Sequence, residues 1–291
     1  MIRWLASLLI VALLGCASEV VRAGTEQARP MRIVSLNMCV DGILVELVSH
    51  DRIAALSHYA RDPQRSIISD IARRLPITYE TAEEVVALRP DLVLTSRHSA
   101  PATRNALRRV GIRFELFDVP NSIDGSLQQV RQVAKLLGAE REGEAMVARI
   151  EQALEAAKLP VDEKPFTAAV YQPGGLSAGA NTVIGELMQL TGLHNVAARY
   201  GVKNYRPLPL EMLVSAPPDV LLVGETSPGA PLHAERIVRH RALRDLESQM
   251  TQEVFPARLL FCAGPTMIDA AQTLARAREH AQAVRRARST L

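Results

Sequence analysis

Aromatic residues make up only 4% of this 291-residue chain, and cysteine occurs just three times. Three cysteines are too few for a scaffold built on disulfides, so folding must rest on apolar cores. No HExxH, paired CxxC or P-loop motif is present, which removes the commonest sequence signatures of zinc and nucleoside-triphosphate chemistry. The net charge of +3 is small and the basic residues are scattered, so nucleic acid is not an expected partner. The cluster Arg285-Arg286-Ala287-Arg288 reads as the cationic end of a terminal helix, where positive charge suits the helix dipole. Beyond Leu14 no apolar run approaches the roughly 20 residues that a membrane-spanning helix needs.

The one apolar run that does exist sets the compartment. Arg3 precedes the stretch Leu5 to Leu14, which has the length of a signal-peptide core and is too short for a lasting span. The chain is therefore expected to be exported to the periplasm. Two processing sites stay open. Leu13-Leu14-Gly15-Cys16 resembles a bacterial lipobox, which would leave the protein tethered through a lipid on Cys16; Val21-Arg22-Ala23 offers ordinary cleavage and a free protein.

The strongest internal signal is a unit that occurs twice. Glu83-Glu84-Val85-Val86-Ala87-Leu88-Arg89-Pro90-Asp91-Leu92-Val93-Leu94 is matched 128 positions later by Glu211-Met212-Leu213-Val214-Ser215-Ala216-Pro217-Pro218-Asp219-Val220-Leu221-Leu222. In each copy an acidic residue opens a short apolar helix, a proline seven positions on stops it, and Asp leads into a buried-type strand. Matching offsets predict two related lobes, each the size of a domain.

Strands are predicted at Arg32 to Leu36, Arg52 to Ser57, Asp91 to Thr95 and Ile112 to Phe117, with helices at Asp41 to Val48, Glu83 to Leu88 and Pro101 to Val110. The order restarts with strands at Thr167 to Tyr171, Asp219 to Val223 and Arg258 to Phe261, helices at Val183 to Leu190 and Glu211 to Val214, and a long helix from Thr266 towards Arg286. Helices between strands imply parallel, doubly wound sheets, hence an α/β fold. Between the lobes, Met146, Val147, Ile150 and Leu154 recur at helical spacing, so Arg141 to Lys158 reads as one rigid connecting helix of roughly 27 Å rather than a flexible linker. The expected divisions are a signal segment 1–23 (1–15 for a lipoprotein), an N-terminal lobe 24–138, a connecting helix 139–160 and a C-terminal lobe 161–291.

These features together resemble the helical-backbone (class III) periplasmic solute-binding proteins of ABC importers, which carry ferric siderophores, haem and cobalamin. The resemblance runs from about Arg32 onward and rests on Arg32-Ile33-Val34-Ser35-Leu36-Asn37, the strand Ile53-Ala54-Ala55-Leu56-Ser57, the paired units and the connecting helix. It implies a ligand cleft between the lobes, a monomer, no resident cofactor, and delivery of a metal-chelate small molecule to an inner-membrane permease and its ATPase. In that family each lobe carries a glutamate that docks on the permease. By position these resemble Glu83 and Glu211, with Glu84 an alternative to the first.

Open parallel sheets bind ligands at the loops after their strands. Tyr59, Tyr79 and Tyr205 fall in such loops and Tyr171 closes a strand, so the four are expected to line the cleft with flat faces and polar tips. Tyr59 and Tyr205 also match positions where cobalamin-binding relatives place aromatics. Arg61, Arg97, His98 and Arg206 stand beside them, and Asn181 is a further polar contact. Guanidinium groups suit anionic chelates, which favours a ferric siderophore over a corrinoid, with haem third. His58 or His98 could supply an imidazole to a metal, although a loop histidine is more often a plain polar residue. Cys39 and Cys262 are both expected at the cleft end of their sheets, where they could pair, pack as small apolar groups or contact ligand.

One motif points to another class. Gly175-Leu176-Ser177-Ala178-Gly179 fits G-x-S-x-G, with Asp219 and His280 in hydrolase order. An elbow serine needs the immediate strand-to-helix turn, whereas Gln172-Pro173-Gly174 intervenes here. Ser177 is therefore read as part of a cleft loop, and no enzyme activity is expected.

Overall fold

The computed structural model describes residues 29–225, 246 and 249–289. The leader, Cys16 and both processing sites lie outside the described residues. Among the described residues no helix is long and apolar enough to cross a membrane.

The N-terminal lobe is a five-stranded parallel sheet built from β1 (Ile33–Ser35), β2 (Ile53–Ser57), β3 (Ile77–Thr78), β4 (Leu92–Thr95) and β5 (Phe114–Leu116), in the order β3-β2-β1-β4-β5. Helix α1 (Met38–Leu47) follows β1. It starts three residues before the expected Asp41 because Asn37 caps it, the side-chain oxygen accepting from the Cys39 and Val40 amides. Short helices α2 (Ser69–Ala72) and α3 (Ala82–Ala87) precede β3 and β4, and α4 (Pro101–Arg109) leads to β5.

Two antiparallel helices, α5 (Ile123–Leu137) and α6 (Glu140–Ala157), lead out of this lobe. They turn at Gly138, whose φ of 62° closes α5 in the left-handed conformation that glycine adopts freely. The apolar stripe Met146, Val147, Ile150, Leu154 of α6 is buried, as its spacing predicts. Arg149 of α6 pairs with Glu46 of α1, while the carbonyls of Ala157 and Lys158 accept from Arg278 near the other end of the molecule. The helix thus runs from one lobe to the other.

The C-terminal lobe contains β6 (Phe166–Tyr171), the short β7 (Leu176–Ser177), α7 (Val183–Leu190), β8 (Leu193–Asn195), β9 (Arg206–Pro207), α8 (Leu210–Ser215), β10 (Val220–Val223), β11 (Thr251–Val254) and the terminal α9 (Thr266–Ser289). Its main sheet is parallel in the order β11-β10-β6-β8, and β7 pairs antiparallel with β9 alongside it. The order β5-β4-β1-β2 of the first lobe is repeated by β11-β10-β6-β8 in the second.

The repeated unit has a common structural role in both lobes. Asp91 accepts the amides of Met31 and Arg32 at the entry to β1, and Asp219 accepts the amide and hydroxyl of Thr167 in β6. Each Asp therefore fixes the start of the central strand beside its own. One expected element is misplaced in the sequence reading. Arg258 to Phe261 is not a strand: Pro256 starts a 3-10 turn there, and the edge strand is the polar Thr251–Val254 just before it. The apolar run Leu259-Leu260 is buried by packing rather than by sheet pairing.

A single apolar core joins the lobes through α1, α5, α6, α7 and α9. Arg278 of α9 is only 4% exposed and donates to the carbonyls of Ala157, Lys158 and Thr191, closing the C-terminal ends of α6 and α7. Those carbonyls would otherwise be unsatisfied.

Candidate ligand cleft

Because both sheets are parallel, the loops after their strands gather at one edge of each lobe. In the first lobe these are His58 to Asp62, Tyr79-Glu80 and Ser96 to Ser99, followed by Phe117-Asp118. In the second they are the segments after β6, β10 and β11, with the β7–β9 pair.

The first-lobe rim carries a compact aromatic platform. Tyr59 lies against His58 with ring centroids 3.9 Å apart, and His58 stacks on Tyr79 at 5.2 Å and 24°. Tyr79 is 66% exposed. The Arg65 guanidinium covers the Tyr59 ring at 5.2 Å. His58 Nδ1 is buried without a hydrogen-bond partner and lies 3.8 Å from a Glu80 carboxylate oxygen. Glu80 has φ of 70°, a conformation that side-chain-bearing residues rarely adopt, and burial raises its carboxyl pKa. Beneath them Asp41 is fully buried in α1. Its Oδ2 accepts from the Ser57 hydroxyl at 2.5 Å, yet burial outweighs this bond and one to Ser35 and pushes its pKa up to about 7.

The second-lobe rim is sparser. Tyr205 is 36% exposed; partial burial raises its pKa to about 12 against the effect of a bond with Thr182. Arg206 is exposed beside it, and Asn181, also exposed, donates its backbone amide to the Lys203 carbonyl in the segment before β9. Tyr171, in contrast, is 1% exposed and packs with Val196, Leu208 and Leu213 inside the lobe. Desolvation, then the nearby Glu211 charge, pushes its pKa to about 12. It supports the cleft wall from behind and does not line it.

The arginines divide in the same way. Arg61 donates to the carbonyls of Ala72 and Leu75, closing the turn after α2. Arg97 pairs with Asp118, its neighbour after β5. Of the three expected anion contacts, only Arg206 has no protein carboxylate or carbonyl partner among the described residues. His98 is exposed next to Arg97, with its amide bonded to Ser96. Two hollows of about 640 and 530 Å³, one by Arg29, Phe117 and Lys135 and the other by Glu253, Asp269 and His280, are lined by none of the expected tyrosines.

The expected docking residues are also distinguished. Glu83 in α3 is exposed with no partner among the described residues, as is Glu211 in α8. Glu84 is committed: it accepts from the Thr78 hydroxyl and the Tyr79 amide, while Thr81 caps its own backbone amide.

The hydrolase constellation is not assembled. Ser177 is buried in β7 without a partner for its hydroxyl, Asp219 serves Thr167, and His280 on α9 contacts Glu253.

Residues 33–255 of the sequence match the family model for periplasmic binding proteins. The chain belongs to the periplasmic binding protein family. Structures of this fold with similar architecture include the apo periplasmic haem-binding protein RhuT of Roseiflexus sp. RS-1, 27% identical with a TM-score of 0.70, covering 86% of this chain and 98% of that one. The vitamin B12-binding protein BtuF of Vibrio cholerae is 18% identical with a TM-score of 0.65, covering 87% of this chain and 98% of that one. In sequence, a cobalamin-binding protein of Halobacterium salinarum is 29% identical over 208 residues, 69% of this chain and 55% of that protein. The chain thus spans about half the length of the curated relative it matches. Its fold is that of the class III periplasmic binding proteins, with haem-, Fe3+-hydroxamate- and cobalamin-binding proteins among its relatives and structural neighbours.

The sequence missed Glu80 and Asp41. Neither sits in a motif: Glu80 is marked by its backbone and Asp41 by complete burial, and both properties arise only on folding.

Proposed function

We propose that this binding protein captures a corrinoid in the periplasm and delivers it to an inner-membrane ABC permease, acting as a monomer. The observation that carries the choice of cargo is the engagement of Arg61 and Arg97 by protein groups. The charge argument for an anionic ferric siderophore needs those guanidinium groups free. What remains at the rim is aromatic surface, Tyr59 and Tyr79 on one lobe and Tyr205 on the other, suited to a large flat ligand with few charges. The Halobacterium relative supports the same class. Delivery is assigned to Glu83 and Glu211, whose carboxylates are exposed and unpaired among the described residues.

The test is equilibrium binding of cyanocobalamin, a ferric hydroxamate and haem at low and high salt. Corrinoid binding that is insensitive to salt and to Arg61→Ala and Arg97→Ala, but weakened about tenfold by Tyr205→Ala, is the expected pattern. Tight, salt-sensitive binding of the hydroxamate alone would return the assignment to a siderophore.

A further inference from the structure

Each lobe carries an ion pair at the same place in its sheet, and the two pairs have opposite polarity. In the first lobe Arg97, shortly after β4 ends at Thr95, pairs with Asp118, shortly after β5 ends at Leu116. In the second, Glu225 follows the end of β10 at Val223 and pairs with Arg258, which lies in the turn after β11, at 3.1 Å. In the order of the sheets, β4 and β5 hold the places that β10 and β11 hold in the other lobe. The cation of one lobe therefore stands where the anion of the other does. Tying two neighbouring loops together needs an ion pair of either polarity, so local folding does not call for the inversion. It matters where the pairs approach one another: equal polarity would set Asp118 against a second acid, whereas the inversion sets it against a cation.

The segments that carry these pairs do meet. After β5 and after β11 the chain is joined across the lobes by the Gly264 amide, which donates to Ser126 Oγ at 2.7 Å, and by the Cys39–Cys262 disulfide. Asn37, the cap of the helix that bears Cys39, donates through Nδ2 to the carbonyl of Phe117, the residue before Asp118. Arg258 lies on the same short stretch as Cys262. Both charges are only partly served within their own lobes. Asp118 receives Arg97 on Oδ2, while its Oδ1 is buried without a hydrogen-bond partner. Arg258 gives Nη1 to Glu225, and its other guanidinium nitrogens have no partner among the described residues. An unsatisfied acceptor on one lobe and unused donors on the other thus flank the point where the lobes are tied together, and a buried polar atom without a partner calls for one.

We infer that Asp118 and Arg258 form a clasp between the lobes when the cleft closes on its cargo. In the open protein Arg97 and Glu225 hold the two groups apart, each within its own lobe. On closure Arg258 donates to the Asp118 carboxylate, which sets Arg97, Asp118, Arg258 and Glu225 in a row of alternating charge. The inference rests on the reading of the cleft as the cargo site and not on which cargo fills it. The disulfide keeps the two loops within reach of each other, and the clasp adds a contact that exists only in the closed form, so it raises cargo affinity by favouring that form. Ion pairs that keep contact with solvent are weak, which lets the clasp open again for release.

A double-mutant cycle on cargo binding by the full-length mature protein tests the clasp, with cyanocobalamin as the probe. Arg258→Gln and Asp118→Asn should each weaken binding about fivefold, the upper end for such a pair, through faster dissociation. The double variant should be no weaker than either single one, because both remove the same contact. Thermal melts of the unliganded variants should hardly differ from wild type, since the contact is absent in the open form. Losses that multiply in the double variant, losses matched by equal destabilisation of the unliganded protein, or unchanged affinity in both single variants would each overturn the clasp and leave cargo binding standing. If cyanocobalamin does not bind, the same cycle is run with haem and with a ferric hydroxamate; binding of none of the three overturns the cargo reading and the clasp with it.

Discussion

Cys39 at the start of α1 and Cys262 after the final 3-10 turn form a disulfide, with Cα atoms 5.0 Å apart across 223 positions of sequence. The bond joins the two lobes. It is one of several contacts that hold residues 261–265 against the first lobe: the Cys39 sulfur lies 3.4 Å from the Phe261 carbonyl, the Gly264 amide donates to Ser126, and Pro265 packs on Gly42. Of the roles open from sequence, pairing is the one the structure adopts.

A loop of that length makes the bond a large term in stability. In the chain-entropy account, closing 223 residues is worth about 5 kcal/mol. Cys39→Ser with Cys262→Ser should lower the denaturant midpoint strongly, and reduction of the wild type should do the same. Coincident unfolding curves for oxidised and reduced protein would show that native packing alone holds the lobes.

Asp41 predicts a pH dependence of stability with a definite sign. Its folded pKa, about 7, lies above the ordinary value of 3.8, so the folded state binds the proton more tightly than the unfolded chain. The associated stability is complete below about pH 4, declines as pH rises, and is lost by about pH 7, an effect on the order of a few kcal/mol. Asp41→Asn should flatten this slope in urea melts across that window. A slope unchanged by the substitution would contradict the assignment.

Docking and capture should separate. Glu83→Ala combined with Glu211→Ala should reduce transport or permease ATPase stimulation while leaving ligand affinity unchanged, because both side chains are exposed on outer helices. Single changes should have small effects, since exposed charge pairs are individually weak. Glu84→Ala is the control: it removes bonds to Thr78 and Tyr79 and should disturb the aromatic platform, and hence affinity, instead.

The packing of α5 on α6 depends on Gly143. A Cβ there would sit 2.4 Å from the Ala134 Cβ, too close for either helix to keep its place. Gly143→Ala should destabilise the protein by about 1–3 kcal/mol, read from thermal melts, without changing ligand specificity. An unchanged melting temperature would mean that the helices can part at no cost.

What the sequence determined by itself was whatever is encoded locally. Hydrophobic period, caps and stops placed α7 to the residue and α6 to within one at each end, and the twin Glu-to-Asp units announced two similar sheets. The polar edge strand Thr251–Val254 was not legible, because its pairing with β10 comes from a neighbour rather than from its own apolar pattern. Site chemistry followed the same divide. The tyrosines and arginines were identifiable as residue types near strand ends, but only the tertiary structure decided which faced outward. Tyr171 closes its strand towards the lobe interior, Arg61 and Arg97 are consumed by a helix end and by Asp118, and Glu80 meets His58 from a different loop. These outcomes depend on long-range packing, where burial and hydrogen-bond satisfaction are settled between segments far apart in the chain, and no local pattern carries that information.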